Sequence, residues 1–260
     1  MKYQHHLKFT YPEQTDAHMV SPKNLDAEII EESFPFYDKR FRARFLRGIY
    51  NFVLYAFLVP ATKFRYGLKV KGKKNLWKNR KLLRNGAITV SNHVFDWDYF
   101  CVRAATFPHR EFVTIWKHNM FRSIGKSMYR TGGIPVPDTY GGLKAFDRAL
   151  MDLMKDKQWL HFYPEGSMWP YEETLRPFKK GGFSYALRGH KPVIPLAISY
   201  RPPTGLYRWF KKGYPLITIS IGKPILPDLS LPSIDAIEKM RHEAETAVAS
   251  QIDKYTPDVR

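Results

Sequence analysis

Short apolar runs alternate with amphipathic stretches along most of the chain after Gly67. The runs have strand length, and the stretches between them repeat apolar residues at helical spacing. Strands are predicted at residues 68–70, 87–90, 112–116, 134–136, 159–162, 193–200 and 216–221. Helices are predicted at residues 97–107, 119–129, 140–155, 181–188 and 233–255, with a basic loop at 71–84. This order is typical of an α/β fold whose largely parallel sheet is flanked by helices.

Two of the predicted helices show clear apolar faces. Helix 140–155 has a stripe formed by Leu143, Phe146, Leu150, Leu153 and Met154. In helix 233–255, Ser233 is a candidate N-cap, and the core face is predicted to consist of Ile234, Ile237, Ala244, Val248 and Ile252.

The first 66 residues differ in pattern from the rest, which predicts an N-terminal region at 1–66 and a catalytic domain at 67–260. Residues 1–36 show no sustained period. Residues 48–60 are almost entirely apolar, and Arg and Lys residues lie on both sides of them. The run is shorter than the ~20 residues of a simple membrane span. Its basic flanks, with Tyr50 and Tyr55, favour a membrane-docking helical segment over a buried core helix.

Charge and cysteine content narrow the cellular setting. The formal net charge is +18, with 42 Lys and Arg against 24 Asp and Glu, which favours a polyanionic partner such as anionic lipid, nucleic acid or an acidic carrier protein. Six Trp and an aromatic content of 15% fit a membrane interface, and no recognised nucleic-acid motif is present, so anionic membrane lipids are the expected partners and nucleic acid is not. The single cysteine, Cys101, excludes an intramolecular disulfide and favours a reducing compartment. With no apolar signal segment in residues 1–16, we expect the cytosolic face of a membrane, with peripheral or partial insertion.

Polar motifs follow two of the predicted strands. His93 and Asp98, five residues apart, come after strand 87–90, and Glu165-Gly166-Ser167 comes after strand 159–162. Carboxyl ends of strands in open α/β sheets are where binding and catalytic residues gather. Asp98 can accept a hydrogen bond from Nδ1 of His93, which leaves Nε2 free to act as a general base.

Other interpretations of these motifs are weaker. A metal site of His93, Asp96 and Asp98 has no further His or Cys at ligand spacing, so no metal is expected. Asp96 is predicted to cap the helix that begins at Trp97. Ser167 lacks the Gly-x-Ser-x-Gly context of an activated nucleophile, and Cys101 is expected to be a small buried residue.

Four blocks occur in an order that resembles the glycerolipid acyltransferase superfamily, and within it the lysophosphatidic acid acyltransferases. They are Asn92-His93 with Asp98, Gly-Gly-Ile-Pro-Val at 132–136, Tyr-Pro-Glu-Gly-Ser at 163–167 and Val-Ile-Pro-Leu-Ala at 193–197. The resemblance implies transfer of a fatty acyl group from acyl-CoA or acyl-carrier protein to the free hydroxyl of lysophosphatidic acid. His93 and Asp98 would form the general-base pair, with no cofactor and no covalent acyl-enzyme.

The resemblance also implies that Glu165 and Gly166, together with Ser167, bind the glycerol phosphate of the acceptor; a purely structural turn is the alternative. Arg176 and Lys179 precede a predicted helix N-terminus, a favourable place for an anion, and they match the family's Phe-Lys-x-Gly segment. They are therefore candidate phosphate contacts, although a solvated basic loop is also consistent with the pattern.

One departure from the family leaves the acceptor open. Many relatives have an Arg directly after the second block, where this chain has Pro137-Asp138. Arg130, just before that block, is a candidate replacement, and Lys144 on the next helix is another. A different lysolipid or hydroxylated acceptor is the first alternative to lysophosphatidate. From other classes, a nucleic-acid-binding protein would explain the charge but not the four blocks, and a non-catalytic lipid-surface protein would not need His93 and Asp98.

Overall fold

A seven-stranded, mostly parallel sheet forms the centre of the protein. The computed structural model describes residues 5–15, 17–19, 29–211 and 213–255. The strands are β1 Lys69–Lys71, β2 Ile88–Ser91, β3 Glu111–Trp116, β4 Gly133–Val136, β5 Trp159–Phe162, β6 Val193–Arg201 and β7 Leu216–Ile221. Their order is β1-β7-β6-β2-β5-β3-β4, and every neighbouring pair is parallel except β6 with β7. The predicted fold class is confirmed.

Helices cover both faces of this sheet. They are α1 Phe41–Val53, α2 Val59–Tyr66, α3 Lys73–Lys78, α4 Arg80–Leu83, α5 Asp98–Thr106, α6 Gly125–Thr131, α7 Tyr140–Lys155, α8 Gly181–Gly189, α9 Tyr207–Phe210 and α10 Ser233–Tyr255. One core layer joins β6 and β7 to α5, and the other joins β2, β5 and β6 to α7, α8 and α10. Burial on both faces explains why these strands are continuous apolar runs in the sequence.

Some local predictions were wrong. Residues 71–84, predicted as a loop, contain α3 and α4, which bury Leu76 and Leu83. The single helix predicted at 119–129 is instead a 3₁₀ turn, Lys117–Phe121, followed by α6. Helices of four to seven residues are too short to show a helical period, so the sequence pattern does not reveal them.

Two side chains assigned to helical core faces are exposed. They are Leu143 on α7 and Ile234 on α10. The buried line of α10 runs through Ala236, Met240, Ala244 and Val248 at intervals of four residues. Ile234 lies two residues before this line, which places its side chain on the opposite side of the helix.

The apolar N-terminal segment is one long helix from Phe41 to Tyr66 with a wider π turn, Leu54–Leu58, in the middle. Pro60 lies just after this turn. A proline has no N–H to donate and its ring clashes with the carbonyl four residues earlier, which accounts for the irregular turn there. The inner face, with Asn51, Leu54, Thr62 and Tyr66, is buried. The first half packs on α6 and the second half on α5. The proposed division of the chain at residue 66 stays a prediction.

Arg103, in the middle of α5, is a fully buried cation that joins this helix to the catalytic elements. Its guanidinium donates to the side-chain oxygen of Asn51 on α1 and to the backbone carbonyls of Glu111 and Thr131. The aromatic rings of Tyr55 and Tyr99 lie 5.2 and 5.4 Å from the guanidinium carbon. A single side chain therefore connects α5, α1, β3 and the end of α6.

We expect Arg103→Met to destabilise the fold by about 3–5 kcal/mol, because several buried acceptors lose their donor at once. The measurement is the free energy of unfolding from urea titration followed by circular dichroism. Arg148→Ala is the matched control, since Arg148 pairs with Glu32 at the surface and both side chains are more than half exposed. That change should cost at most about 1 kcal/mol. Equal losses in the two variants would contradict the structural role of Arg103.

Candidate active site

The candidate catalytic residues lie at one edge of the sheet, because β2 and β5 are parallel neighbours that end together. Val90 of β2 is in register with Phe162 of β5. The segments that follow the two strands therefore emerge side by side, and they carry His93 and Glu165. Asn92 secures the first segment, since its side-chain amide exchanges two hydrogen bonds with the backbone of Ile198 on β6, at 2.9 and 2.8 Å.

His93 and Asp98 form the pair that the sequence predicts. Nδ1 of His93 lies 2.6 Å from Oδ2 of Asp98. The backbone N–H of Val94 donates to the same oxygen at 3.1 Å, and the Tyr163 hydroxyl donates to Oδ1 at 2.8 Å. The carboxylate is buried in the first turn of α5, where the helix dipole favours negative charge. With Nδ1–H directed at Asp98, Nε2 is the basic nitrogen, and the His93 side chain is 25% exposed.

Tyr163 is a site residue that sequence reasoning missed as an individual contributor. Its ring stacks on the imidazole of His93, with centroids 3.9 Å apart and planes at 17°. Burial and the neighbouring Asp98 carboxylate raise the pKa of Tyr163 well above its usual value, so the hydroxyl stays protonated and donates to Asp98. The signal available in the sequence was its position directly before Pro164-Glu165-Gly166.

His161 packs against this ring and plays a structural role. It is fully buried, its ring meets Tyr163 edge-on at 4.4 Å, and Nδ1 lies 2.9 Å from the Thr89 hydroxyl. Burial, assisted by nearby His93, lowers the pKa of His161 to about 3. A neutral His161 adds no positive charge beneath the base, so it does not oppose protonation of His93.

Glu165 is buried and its carboxylate is directed into the protein. It accepts the backbone N–H of His93 at 3.0 Å, the backbone N–H of Arg176 at 3.1 Å and a guanidinium N–H of Arg176 at 2.7 Å. Burial raises the pKa of Glu165, and the Arg176 cation opposes that effect. These contacts orient the backbone of the catalytic segment. The predicted contact of Glu165 with the acceptor stays a prediction.

Arg176 lies inside the wall of the site. Its guanidinium donates to Glu165, to the Ser167 hydroxyl at 2.8 Å and to the backbone carbonyl of Thr15 at 2.9 Å, and it lies over the ring of Trp169. Only 4% of Arg176 is exposed. Ser167 is likewise buried. The structure thus brings Arg176 and Ser167 to the Glu165 motif as supporting groups, and their predicted contact with phosphate stays a prediction.

Gly166 and Lys179 form the exposed part of the same turn. Gly166 has φ +85°, and a side chain at this position would meet Nζ of Lys179 at 3.0 Å. The backbone N–H of Lys179 donates to the Pro164 carbonyl at 2.8 Å, which fixes it beside the turn. Unlike Arg176, Lys179 is exposed, so its cation lies at the surface of the site.

Arg130 is not brought to this group. It lies on α6, where its guanidinium donates to the Tyr50 hydroxyl of α1 and lies over that ring. Asp138, just after the second block, forms an ion pair with Lys117, and this contact lowers the Asp138 pKa. Lys117 directly follows β3 at the catalytic edge, and sequence reasoning did not single it out.

Asp96 precedes α5 but does not cap it. The helix begins at Asp98 after Trp97 and has no side-chain cap, so the predicted capping role of Asp96 was wrong. Within the described ranges, no cluster of three or more His, Cys, Asp or Glu side chains is arranged to hold a metal ion.

Part of the N-terminal region also contributes to the site wall, which the sequence pattern did not indicate. The ring of Tyr11 stacks on Trp169 at 5.2 Å, and Trp169 Nε1 donates to the Ala17 carbonyl at 2.9 Å. The imidazole of His18 stacks on Trp116, the last residue of β3, at 4.1 Å. This segment therefore crosses the catalytic edge between the Glu165 loop and β3.

Two known proteins are similar to this chain in sequence. The 1-acyl-sn-glycerol-3-phosphate acyltransferase of Saccharomyces cerevisiae is 29% identical over 143 residues, which are 53% of this chain and 45% of that enzyme. An uncharacterized acyltransferase of Schizosaccharomyces pombe is 24% identical over 191 residues, 68% of this chain and 66% of that protein. The chain thus spans less than half of the first relative and just under two thirds of the second.

A solved structure shares the fold. The crystal structure of the 1-acyl-sn-glycerophosphate (LPA) acyltransferase PlsC from Thermotoga maritima aligns with a TM-score of 0.52 at 18% sequence identity, over 85% of this chain and 100% of that one. The sequence profile described as Acyltransferase matches residues 67–199, which is just over half of the chain. The match runs from before β1 into β6 and includes His93, Asp98 and Glu165. The chain therefore belongs to the acyltransferase family.

Proposed function

We propose that the protein transfers a fatty acyl group from the thioester of acyl-CoA or acyl-carrier protein to the free hydroxyl of a lysophospholipid, with lysophosphatidic acid as the first candidate. The observation that carries this proposal is the His93–Asp98 pair, whose geometry leaves Nε2 as the base at a partly open edge. Membership in the acyltransferase family supports it. The yeast relative named as a 1-acyl-sn-glycerol-3-phosphate acyltransferase supports the choice of acceptor.

In this mechanism, Nε2 of His93 takes the proton of the acceptor hydroxyl as its oxygen attacks the thioester carbonyl. The new C–O bond forms, the C–S bond breaks, and the proton on Nε2 passes to the departing thiolate. Asp98 stabilises the imidazolium through Nδ1, and the Tyr163 hydroxyl holds the other carboxylate oxygen in place. A base of this kind contributes about 10²–10⁴-fold to the rate.

Direct transfer without an acyl-enzyme is consistent with the burial of the two candidate nucleophiles, Ser167 and Cys101. The Ser167 hydroxyl is buried and accepts a hydrogen bond from Arg176. Cys101 is fully buried, and burial raises the pKa of its thiol well above the usual value. Neither group is an accessible anion, so the substrate hydroxyl is the nucleophile in the proposed reaction.

Lys179 is the proposed phosphate contact of the acceptor. It is exposed, and its Nζ lies 3.0 Å from the place that a Cβ on the exposed Gly166 would take. Another lysolipid or hydroxylated acceptor remains the alternative, because Asp138 pairs with Lys117 and partly cancels a second positive charge at this edge. No cofactor takes part in the proposed reaction.

The proposal includes docking on an anionic membrane through the helix from Phe41 to Tyr66. By length and composition this helix could cross a membrane. Its inner face, however, packs on α5 and α6, and Arg103 donates a hydrogen bond to Asn51. If the helix spanned the membrane, it would therefore pull the catalytic domain into the lipid. An interfacial position fits better. Large apolar side chains are exposed along it, at Phe41, Phe45, Leu46, Ile49, Phe52, Val53, Phe57 and Phe64. The cytosolic face of the membrane is the proposed location.

We expect His93→Ala to lower kcat about 10²–10⁴-fold, because the proton acceptor is lost. Asp98→Asn should also lower kcat strongly, since an amide cannot stabilise the imidazolium. Acyl transfer is measured with labelled acyl-CoA and acyl-carrier protein, offered separately with lysophosphatidate and other lysolipids.

The control for this series is His242→Ala, which removes an exposed histidine on α10. It should keep the wild-type rate. Equal rates for wild type and His93→Ala would exclude His93 as the base, and no transfer by the wild type to any acceptor would contradict the proposed activity.

We expect Glu165→Gln and Lys179→Ala to affect different kinetic constants. Glu165 positions the His93 backbone, so Glu165→Gln should lower kcat about 10²-fold with little change in KM. Lys179→Ala should raise KM for lysophosphatidate about tenfold or more, through loss of a charged hydrogen bond to phosphate.

Lys180→Ala is the matched control, because Lys180 is the next residue and its cation pairs with Glu238 instead. Steady-state kinetics should show no change for it. If Glu165→Gln raised KM for the acceptor and left kcat intact, Glu165 would be a direct binding residue, as the family resemblance implies.

A further inference from the structure

The connection between β6 and β7, residues 202–215, presents large apolar side chains to solvent. It contains the short helix α9, Tyr207–Phe210. Leu206 is 80% exposed and Trp209 is 85% exposed. Side chains of this size are normally covered in a soluble domain, and their exposure at one loop marks an interaction surface. We call residues 202–215 the β6–β7 connection.

This connection leaves the sheet at the catalytic edge. β6 runs parallel to β2, with Leu196 opposite Ser91, and then continues for five residues to Arg201. The hydrogen bonds between Asn92 and Ile198 join this extension to the segment that carries His93.

A second contact ties the far end of the connection to the catalytic segment. The ring of Tyr214 lies 5.7 Å from that of Tyr171, and the Tyr171 backbone N–H donates to the Val94 carbonyl at 2.7 Å. The exposed apolar residues are thus attached to the same edge of the sheet as the base.

The β6–β7 connection is also continuous with the end of the N-terminal helix. The Tyr207 hydroxyl donates to the Phe64 carbonyl at 2.6 Å, and the rings of Phe64 and Phe210 stack at 6.4 Å. Phe64 itself is 73% exposed. Leu206 and Trp209 therefore extend the exposed apolar face of that helix as far as the catalytic edge.

The charges around this surface favour a bilayer with anionic headgroups as its binding partner. Arg208 and Lys211 belong to this connection, its sequence has no Asp or Glu, and the last turn of α2 adds Lys63 and Arg65. Exposed Trp and Leu among cations match the arrangement at a lipid interface, where apolar groups enter below the headgroups and cations meet phosphate.

We propose that the β6–β7 connection is a second membrane contact, inserted through Leu206 and Trp209, which seats the catalytic edge against an anionic bilayer. The inference rests on the proposed docking of the N-terminal helix and goes beyond it. With both contacts in place, the edge that holds His93 faces the lipid surface. A lysolipid acceptor then reaches Nε2 by moving within the bilayer plane.

The chain has only one cysteine, which allows a site-specific test. Cys101 is fully buried, so a polarity-sensitive fluorophore will attach to a new surface cysteine in Trp209→Cys. Phe57→Cys places the same fluorophore on the helix from Phe41 to Tyr66. Trp77→Cys is the matched control. Trp77 is also an exposed Trp (66%), and Arg80 lies over its ring. It belongs to α3, which follows the end of β1. β1 is parallel to β7 and so ends at the edge opposite His93.

Each labelled protein is mixed with vesicles of phosphatidylglycerol and phosphatidylcholine, and separately with pure phosphatidylcholine. We expect a blue shift of the Trp209→Cys and Phe57→Cys probes on anionic vesicles and none for Trp77→Cys. The double variant Leu206→Ala/Trp209→Ala should bind anionic vesicles about tenfold or more weakly than wild type. Unchanged unfolding midpoints confirm that each variant is folded.

The remaining outcomes separate the two proposals. A shift at Phe57→Cys without one at Trp209→Cys would overturn the second contact and leave docking by the helix intact. Equal shifts at Trp77→Cys and Trp209→Cys would indicate adsorption without a preferred edge, which also overturns the inference. If no probe shifts and wild type does not bind anionic vesicles, the proposed docking fails as well. None of these results depends on acyl transfer, so a failure of the proposed activity is detected independently.

Discussion

The buried carboxylate of Asp98 is the group on which the catalytic geometry depends. It accepts three hydrogen bonds, from the His93 ring, the Val94 backbone and the Tyr163 hydroxyl. An isolated anion in a protein interior is strongly unfavourable, so a buried carboxylate is stable only when donors surround it. Those donors come from the segment after β2 and the segment after β5, and the carboxylate belongs to α5. Satisfying one charge therefore fixes three parts of the chain relative to each other.

Glu165 extends the same principle to the backbone. Its carboxylate holds the N–H of His93, and Arg176 neutralises it while also reaching Ser167 and Thr15. Asp98 thus orients the imidazole ring, and Glu165 orients the peptide that carries the ring. Hydrogen bonds are stronger in a low-dielectric interior than in water, so the two carboxylates together hold the base in place. The N-terminal segment takes part in this network through the Thr15 carbonyl.

The sequence alone was sufficient for the positions of the strands, for α7 and α10 and for the His93–Asp98 pair, because each of these is a local pattern. A strand or a helix of sixteen residues shows its own period, and five residues of spacing define the pair. The direction in which a side chain points at the end of a strand depends instead on residues that are distant in the sequence. Whether Glu165 faces the opening or the interior depends on Arg176, eleven residues later, and on the carbonyl of Thr15. The buried cation Arg103 was missed for the same reason, since its acceptors lie on α1, β3 and α6.

The distribution of charge follows from these internal pairs. Asp98 and Glu165 are compensated inside the protein, and the buried guanidinium of Arg176 is paired with Glu165. The excess that gives the chain its net charge of +18 must therefore reside largely on side chains that reach solvent. Some of these, including Lys63, Arg65, Lys179 and Arg208, are exposed on the catalytic edge or on the helix end beside it. These cations attract an anionic surface to the edge that holds His93, so the charge on this edge and the catalytic geometry favour the same orientation.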